Sequence, residues 1–159
     1  MSRKLGVEPY FHETAAVSNS TFGRYTEVSE RCRISEAEFG DYSYIMQDGS
    51  IWCATIGKFV NIAAAVRINA TNHPTWRATL HHFTYRAVDY WPDADMESEF
   101  FEWRRSNRVV IGNDVCFPRE IGERMDRLAW WDWEHDRLRG ALADFRALGA
   151  EDFLSRYGG

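Results

Sequence analysis

Glycine recurs at Gly6, Gly23, Gly40 and Gly57, each 17 residues after the last, and each follows a large apolar residue: Leu5, Phe22, Phe39 and Ile56. In every unit two more apolar positions follow at offsets of six and twelve from that residue. They are Phe11 and Val17, Val28 and Ile34, Ile45 and Ile51, then Ile62 and Ile68. At 45% hydrophobic content, chance fills all twelve positions about once in ten thousand such patterns. A second column is limited in size. Two residues before each apolar position from Val17 onward stand Ala15, Ser20, Thr26, Cys32, Ala37, Ser43, Gly49, Ala54, Val60 and Val66, and none of them is large.

Three near-hexapeptides per unit describe a coil with three short strands and three corners. Bulky residues fill its axis, small ones fit the tight corners, and glycine relieves backbone strain at the turn. One coil cannot bury its own ends, so coils stack into a parallel β-helix. An ordinary β-sandwich is the alternative, but sandwiches have no reason to keep a constant spacing.

The pattern stops at 72. The next pair matching the first column is Ile111-Gly112 in "VVIGNDV", so 38 residues, 73 to 110, are inserted at a coil seam (111 − 73 = 38). This acidic, aromatic segment includes "TLHHFTYR" and "DYWPDADMESEFFEWRR". A long loop on a rigid scaffold is more often functional than decorative. After Val115 the repeat runs out. Phe117 keeps the register once, and Pro118 begins a helical tail. There Ile121, Met125 and Leu128 share one face, and Leu138, Ala141, Leu142, Phe145 and Leu148 another. The expected fold is therefore mainly β. It comprises a β-helix domain over 1–117 carrying the loop 73–110, and helices over 118–159 that cap its open end.

Composition narrows the function classes. The net charge of −5 and the lack of a Lys/Arg-rich block argue against nucleic acid as a partner. No segment approaches the length of a membrane span, and the basic N-terminus has no apolar run after it, so no membrane association is expected. Cys32, Cys53 and Cys116 form no CxxC pair, which points to a reducing, cytoplasmic compartment.

The stretch "RINATNHPTWRATLHHF", residues 67 to 83, breaks at Asn72-His73-Pro74 with a histidine on the break. On pattern alone His73 is either a base at the mouth of the loop or a histidine hydrogen-bonded where a loop begins. A metal site of His73, His81 and His82 is disfavoured, because spacings of eight and one place the three imidazoles on neither a helix face nor a hairpin. No metal is expected. The acidic residues Asp89, Asp93, Asp95, Glu97, Glu99 and Glu102 read as a solvated loop face rather than a magnet for a cationic acceptor. Trp130, Trp131 and Trp133 read as cover for the β-helix. No cysteine has the partners of a thiol nucleophile, and there is neither a phosphate-binding glycine loop nor a serine elbow.

The hexapeptides of "IGKFVNIAAAVRIN", followed by "NHP", "HHFTYR", "FFEWRRS" and "VVIGNDV", resemble the left-handed β-helix acyltransferases of hexapeptide repeats. Within these the chain is most similar to the xenobiotic acetyltransferase group and to the hexapeptide transferases of phosphonate-utilisation operons. The tail "FPREIGERMDRLAWWDWEHDRLRGALADFRAL" is similar to that family's as well. The resemblance covers nearly the whole chain. It implies a left-handed parallel β-helix, a homotrimer, acetyl-CoA as co-substrate, and a small-molecule acceptor with a hydroxyl or amine. His73 matches the family's general base, and Asn72, His81 and Tyr85 are the expected acceptor-binding residues.

There is one departure. Family members continue "IGNDV" with Trp-Ile-Gly and several further coils before the tail, whereas here Cys116 follows Val115 and "FPREIGERM" follows at once. By family analogy the missing coils build much of the acetyl-CoA groove. The alternative expectation is accordingly a trimeric scaffold or acceptor-binding module with that groove impaired.

Overall fold

The computed structural model describes residues 4–114 and 119–158. The break at Val115-Cys116, the further register position at Phe117 and the start of the tail at Pro118 fall outside the described residues. The strands, in chain order, are β1 (Tyr10–Phe11), β2 (Ala16–Ser18), β3 (Thr21–Phe22), β4 (Glu27–Val28), β5 (Arg33–Phe39), β6 (Tyr44–Ile45), β7 (Ser50–Ile56), β8 (Asn61–Ile62), β9 (Arg67–Ile68) and β10 (Val109–Ile111). All pair in parallel. One sheet runs β1-β4-β6-β8; the other runs β2-β5-β7-β10, with β3 also on β5 and β9 also on β7. The result is a β-solenoid of about three turns.

Paired residues within the coils are 17 apart, as in Val28↔Ile45 and Ile34↔Ile51. After β9 the partner of Ile56 is Ile111. That separation of 55 is one 17-residue coil plus 38 residues, so the loop leaves and rejoins the stack without shifting its register. Both repeat columns face inward. Val28, Ile34, Ile45, Ile51 and Ile56 are buried together with Thr26, Cys32, Ala37, Ser43 and Ala54. The polar members of the small column serve the backbone at the corners. Ser43 Oγ donates to the Gly57 carbonyl at 2.7 Å and accepts from the Val60 N–H at 3.0 Å, so neither backbone group is left unpaired inside.

The corners differ from the sequence expectation in one respect. The repeat glycines are not the left-handed residues; those are Tyr25, Tyr42 and Phe59, two positions later, with φ of 58°, 61° and 58°. Their N–H groups donate to the coil before, to Gly6, Arg24 and Asp41 carbonyls at 2.9, 2.9 and 3.0 Å. Stacked rings reinforce the corner, with centroids 4.8 Å apart for Tyr25–Tyr42 and 4.6 Å for Tyr42–Phe59. Glycine is needed instead for close approach between coils. A Cβ on Gly40 would lie 2.7 Å from the carbonyl carbon of Gly57.

The tail comprises α2 (Arg119–Leu128), α3 (His135–Gly140), α4 (Leu142–Ala147) and α5 (Ala150–Tyr157), after α1 (Ser98–Ser106) in the loop. It has its own core of Met125, Trp130, Trp131, Trp133, Phe153 and Leu154. Rather than sitting only over the end of the stack, it docks along the aromatic corner. Trp130 packs on Phe59 at 4.6 Å, His135 stacks on Tyr25 at 4.7 Å, and Lys58 pairs with Asp132 at 2.7 Å. The physical reason is the ladder itself, an outward apolar strip spanning three successive coils. At the stack ends apolar residues stay partly open: Phe11 is 39% and Val17 37% exposed, and Val66, Ile68, Val109 and Ile111 are only partly buried.

Candidate functional site

The loop over residues 70–108 is fastened to the solenoid at both feet. Asn69 Nδ2 donates to the Cys53 carbonyl at 2.9 Å and to the Asn107 carbonyl at 3.3 Å, which ties the departing strand to the returning one. On the return side Arg108 donates to Thr55 Oγ1 at 2.7 Å and pairs with Glu38 at 3.1 Å. Arg105 pairs with Glu36 at 3.1 Å. The loop thus starts from a rigid corner.

Inside the loop, Tyr85 (2% exposed), Phe100 and Arg104 (6% exposed) form a small buried centre. The Arg104 guanidinium carbon stands 4.7 Å from the Tyr85 ring centroid and 4.6 Å from that of Phe100. Its Nε donates to the Asn72 carbonyl at 2.8 Å, and an Nη donates to the Tyr85 hydroxyl at 3.1 Å. The residue preceding His73 is therefore held by a buried cation. Nearby, Arg77 clamps Glu97 with bonds of 2.8 and 2.6 Å. The guanidinium holds the Glu97 carboxyl below its ordinary range.

His73 itself is exposed and lines an open pocket of about 340 Å³ with Thr79, Leu80, His81 and His82. Its Nδ1 faces the Leu80 carbonyl at 3.2 Å. His81 caps the short helical turn His82–Thr84, its Nδ1 accepting from the Phe83 N–H at 3.3 Å. The His81 and His82 rings stack at 4.5 Å, and His82 Nε2 meets the Tyr90 hydroxyl at 2.6 Å.

Of the expected site residues, the fold brings His73 and His81 to one pocket, and His82 joins them. Asn72 lies beside His73 in the chain, with its carbonyl engaged by Arg104. Tyr85 belongs to the interior of the loop, where its ring supports Arg104 rather than lining the pocket. Arg104, the Leu80 carbonyl and Tyr90 were not singled out from the sequence. For Arg104 a signal existed: an arginine inside the apolar face of "FFEWRR" has to be buried with partners or turned outward. Five of the six acidic loop residues are exposed, and Glu97 is spent on Arg77. Cys53 is buried with its thiol directed at the Arg105 carbonyl. Among the described residues no three His, Cys, Asp or Glu side chains are placed to hold a metal ion, and no helix is long and apolar enough to cross a membrane.

Chemically, the pocket lining offers three imidazoles and the Thr79 hydroxyl, with no carboxylate. Imidazole is the side chain best suited to taking up or giving off a proton near neutral pH. No family model, curated protein or solved structure matches the chain.

Proposed function

We propose that the chain is a coenzyme-A-dependent acetyltransferase on a left-handed β-helix, with His73 as general base toward a hydroxyl or amine of a small acceptor. One observation carries this: the 3.2 Å contact between His73 Nδ1 and the Leu80 carbonyl. A carbonyl oxygen only accepts, so in the neutral ring that contact assigns the hydrogen to Nδ1 and the lone pair to Nε2. A base needs that tautomer and a position an acceptor can reach, and His73 is exposed at an open pocket. Acetyl-CoA supplies the activated acyl carbon. His73 Nε2 takes the acceptor's proton during attack and returns it to the departing sulfur. Thr79, Leu80, His81 and His82 complete the pocket lining, which contains no lysine or arginine. These residues fit the reacting end of the carrier and leave its nucleotide end to be held elsewhere, between subunits of a trimer.

A second reading is a trimeric acceptor-binding module whose acetyl-CoA groove is impaired. It is favoured by the shortness of the stack, which ends after about three turns with Ile68 and Ile111 only partly buried. Calorimetric titration of acetyl-CoA separates the two. Saturable binding near one per chain, with acetyl transfer that falls about 10²- to 10⁴-fold in His73→Ala, is the outcome expected of the enzyme. Transfer at the unaltered rate by His73→Ala removes His73 from the role. Absence of acetyl-CoA binding by a folded trimer leaves the module.

A further inference from the structure

A cavity of about 600 Å³, larger than the one at His73, opens where β5, β7 and β9 begin. Its lining includes Arg31, Arg33, Asp48, Ser50 and Arg67. Arg33, Ser50 and Arg67 stand in one column, paired Arg33↔Ser50 and Ser50↔Arg67. Their neighbours Ile34 and Ile51 are buried in the axis, so the column itself projects outward. Two strand spacings separate the arginine backbones by about 10 Å, with Ser50 midway.

Arg31, at the rim, is already neutralised. It grips Asp48 through bonds of 2.7 and 2.8 Å. Arg33 and Arg67 are exposed, and their side chains form no hydrogen bond or ion pair with any described residue. Glu30, the next acid along this edge, reaches toward His12 at 3.8 Å. The lining therefore holds three arginines against one aspartate, a surplus of two positive charges (3 − 1 = 2), in a chain of net charge −5.

We propose that the Arg33–Ser50–Arg67 column is a binding site for a phosphate group. Two arginines one coil to either side of a serine, all lining one cavity, suit a group with several acceptor oxygens on one centre and more than one negative charge. A carboxylate brings two oxygens and a single charge. A phosphate brings at least three terminal oxygens and close to two charges at neutral pH. The site rests on the register of the coils and is independent of acyl transfer at His73.

The test is calorimetric titration of inorganic phosphate into the full chain at constant ionic strength, with thermal melting in the same series. Saturable binding near one per chain is expected. It should weaken at least tenfold in Arg33→Gln/Arg67→Gln and stay unchanged in Arg127→Ala, an exposed arginine of α2. Glycerol 3-phosphate in a parallel arm tells the source: similar affinity means a phosphate ester is accepted, and its exclusion means the free ion is the ligand. Binding that does not saturate, or a double variant that binds phosphate as well as the unaltered chain, overturns the proposal. Should the double variant lose its cooperative melt, Ser50→Ala, which retains both arginines, is expected to weaken phosphate severalfold. No weakening there overturns it equally.

Discussion

Replacing Arg104 by methionine keeps most of the side chain's length and removes its charge and donors. Two charge-assisted hydrogen bonds disappear, to the Asn72 carbonyl and the Tyr85 hydroxyl, each worth about 1.5–3 kcal/mol. The ring contacts with Tyr85 and Phe100 contribute up to about 2 kcal/mol more. Against this stands the several kcal/mol no longer spent on desolvating a guanidinium. The Asn72 carbonyl, at an exposed residue, can also turn to water. The net loss is about 2.5 kcal/mol, or roughly a 70-fold rise in the open population of the loop. The effect should be local, because Arg104 touches the loop's centre and not the isoleucine axis. Amide hydrogen exchange measures it directly. Amides of α1 and of the turn at 82–84 should exchange roughly 50- to 100-fold faster, while those of β5 and β7 keep their protection. Equal acceleration in β5 and β7 would refute the assignment of Arg104 to a separate loop unit, and no acceleration anywhere would refute its role as an anchor. Arg104→Lys should fall between, since a single ammonium cannot serve both acceptors in the same geometry.

Two further perturbations probe the frame and the loop. Gly40→Ala places a methyl 2.7 Å from the Gly57 carbonyl carbon, whereas a Cβ at Gly122 in α2 meets nothing within 4 Å. Thermal melting should show Gly40→Ala destabilised by about 2 kcal/mol or more and Gly122→Ala stabilised by about 0.5–1 kcal/mol from helix propensity; the reverse order would contradict the stacking role of the repeat glycine. The second concerns pH. Arg77 lowers the Glu97 carboxyl from its ordinary value of 4.5, so its contribution to loop stability is present above that value and is lost as pH falls through the depressed folded one. Proteolysis of the loop by an acid-active protease should accelerate over that interval, and Glu97→Gln should be fast throughout; a loop equally resistant at all acidic pH values would rule the ion pair out as a fastener.

The solenoid was legible because its constraint is non-local and repeats. Apolar residues such as Ile34 and Ile51 are needed at a fixed interval regardless of what lies between them, and that is what periodicity detects. The corners were legible only in part. Local propensity assigns left-handed backbone to glycine or asparagine, yet Tyr25, Tyr42 and Phe59 adopt it, held by bonds to the coil before and by ring stacking. Side-chain preference is outweighed there by contacts that exist only once coils are stacked. The same ladder explains why the tail docks along a corner, since its partner residues are 17 apart in sequence and form no contiguous apolar run. At the loop, His73 was visible from its position at the break of the repeat. Its partner, the Leu80 carbonyl, was not, because a backbone acceptor carries no signature in residue type. The burial of Tyr85 follows from packing between α1 and the turn before it, which periodicity over so short and irregular a stretch does not express.

A coil repeat turns every outward position into a column as surely as it does every inward one. Isoleucines aligned by the 17-residue period make the axis, aromatic residues aligned by it make the docking strip for the tail, and Arg33, Ser50 and Arg67 aligned by it make a cationic column. None of the outward columns is a motif in the linear sense, since its members lie a full coil apart. Such a scaffold repeats shallow surfaces readily. It does not by itself supply a reactive side chain held against a specific partner, because successive outward residues stand in parallel and spaced by a strand. That convergence is provided where the repeat is interrupted. The chain departs after Asn69, folds over a buried arginine, and brings the Leu80 carbonyl back to His73. The division follows from geometry: extended or charged surfaces fall on the columns, while a side chain held against a specific partner requires the insertion.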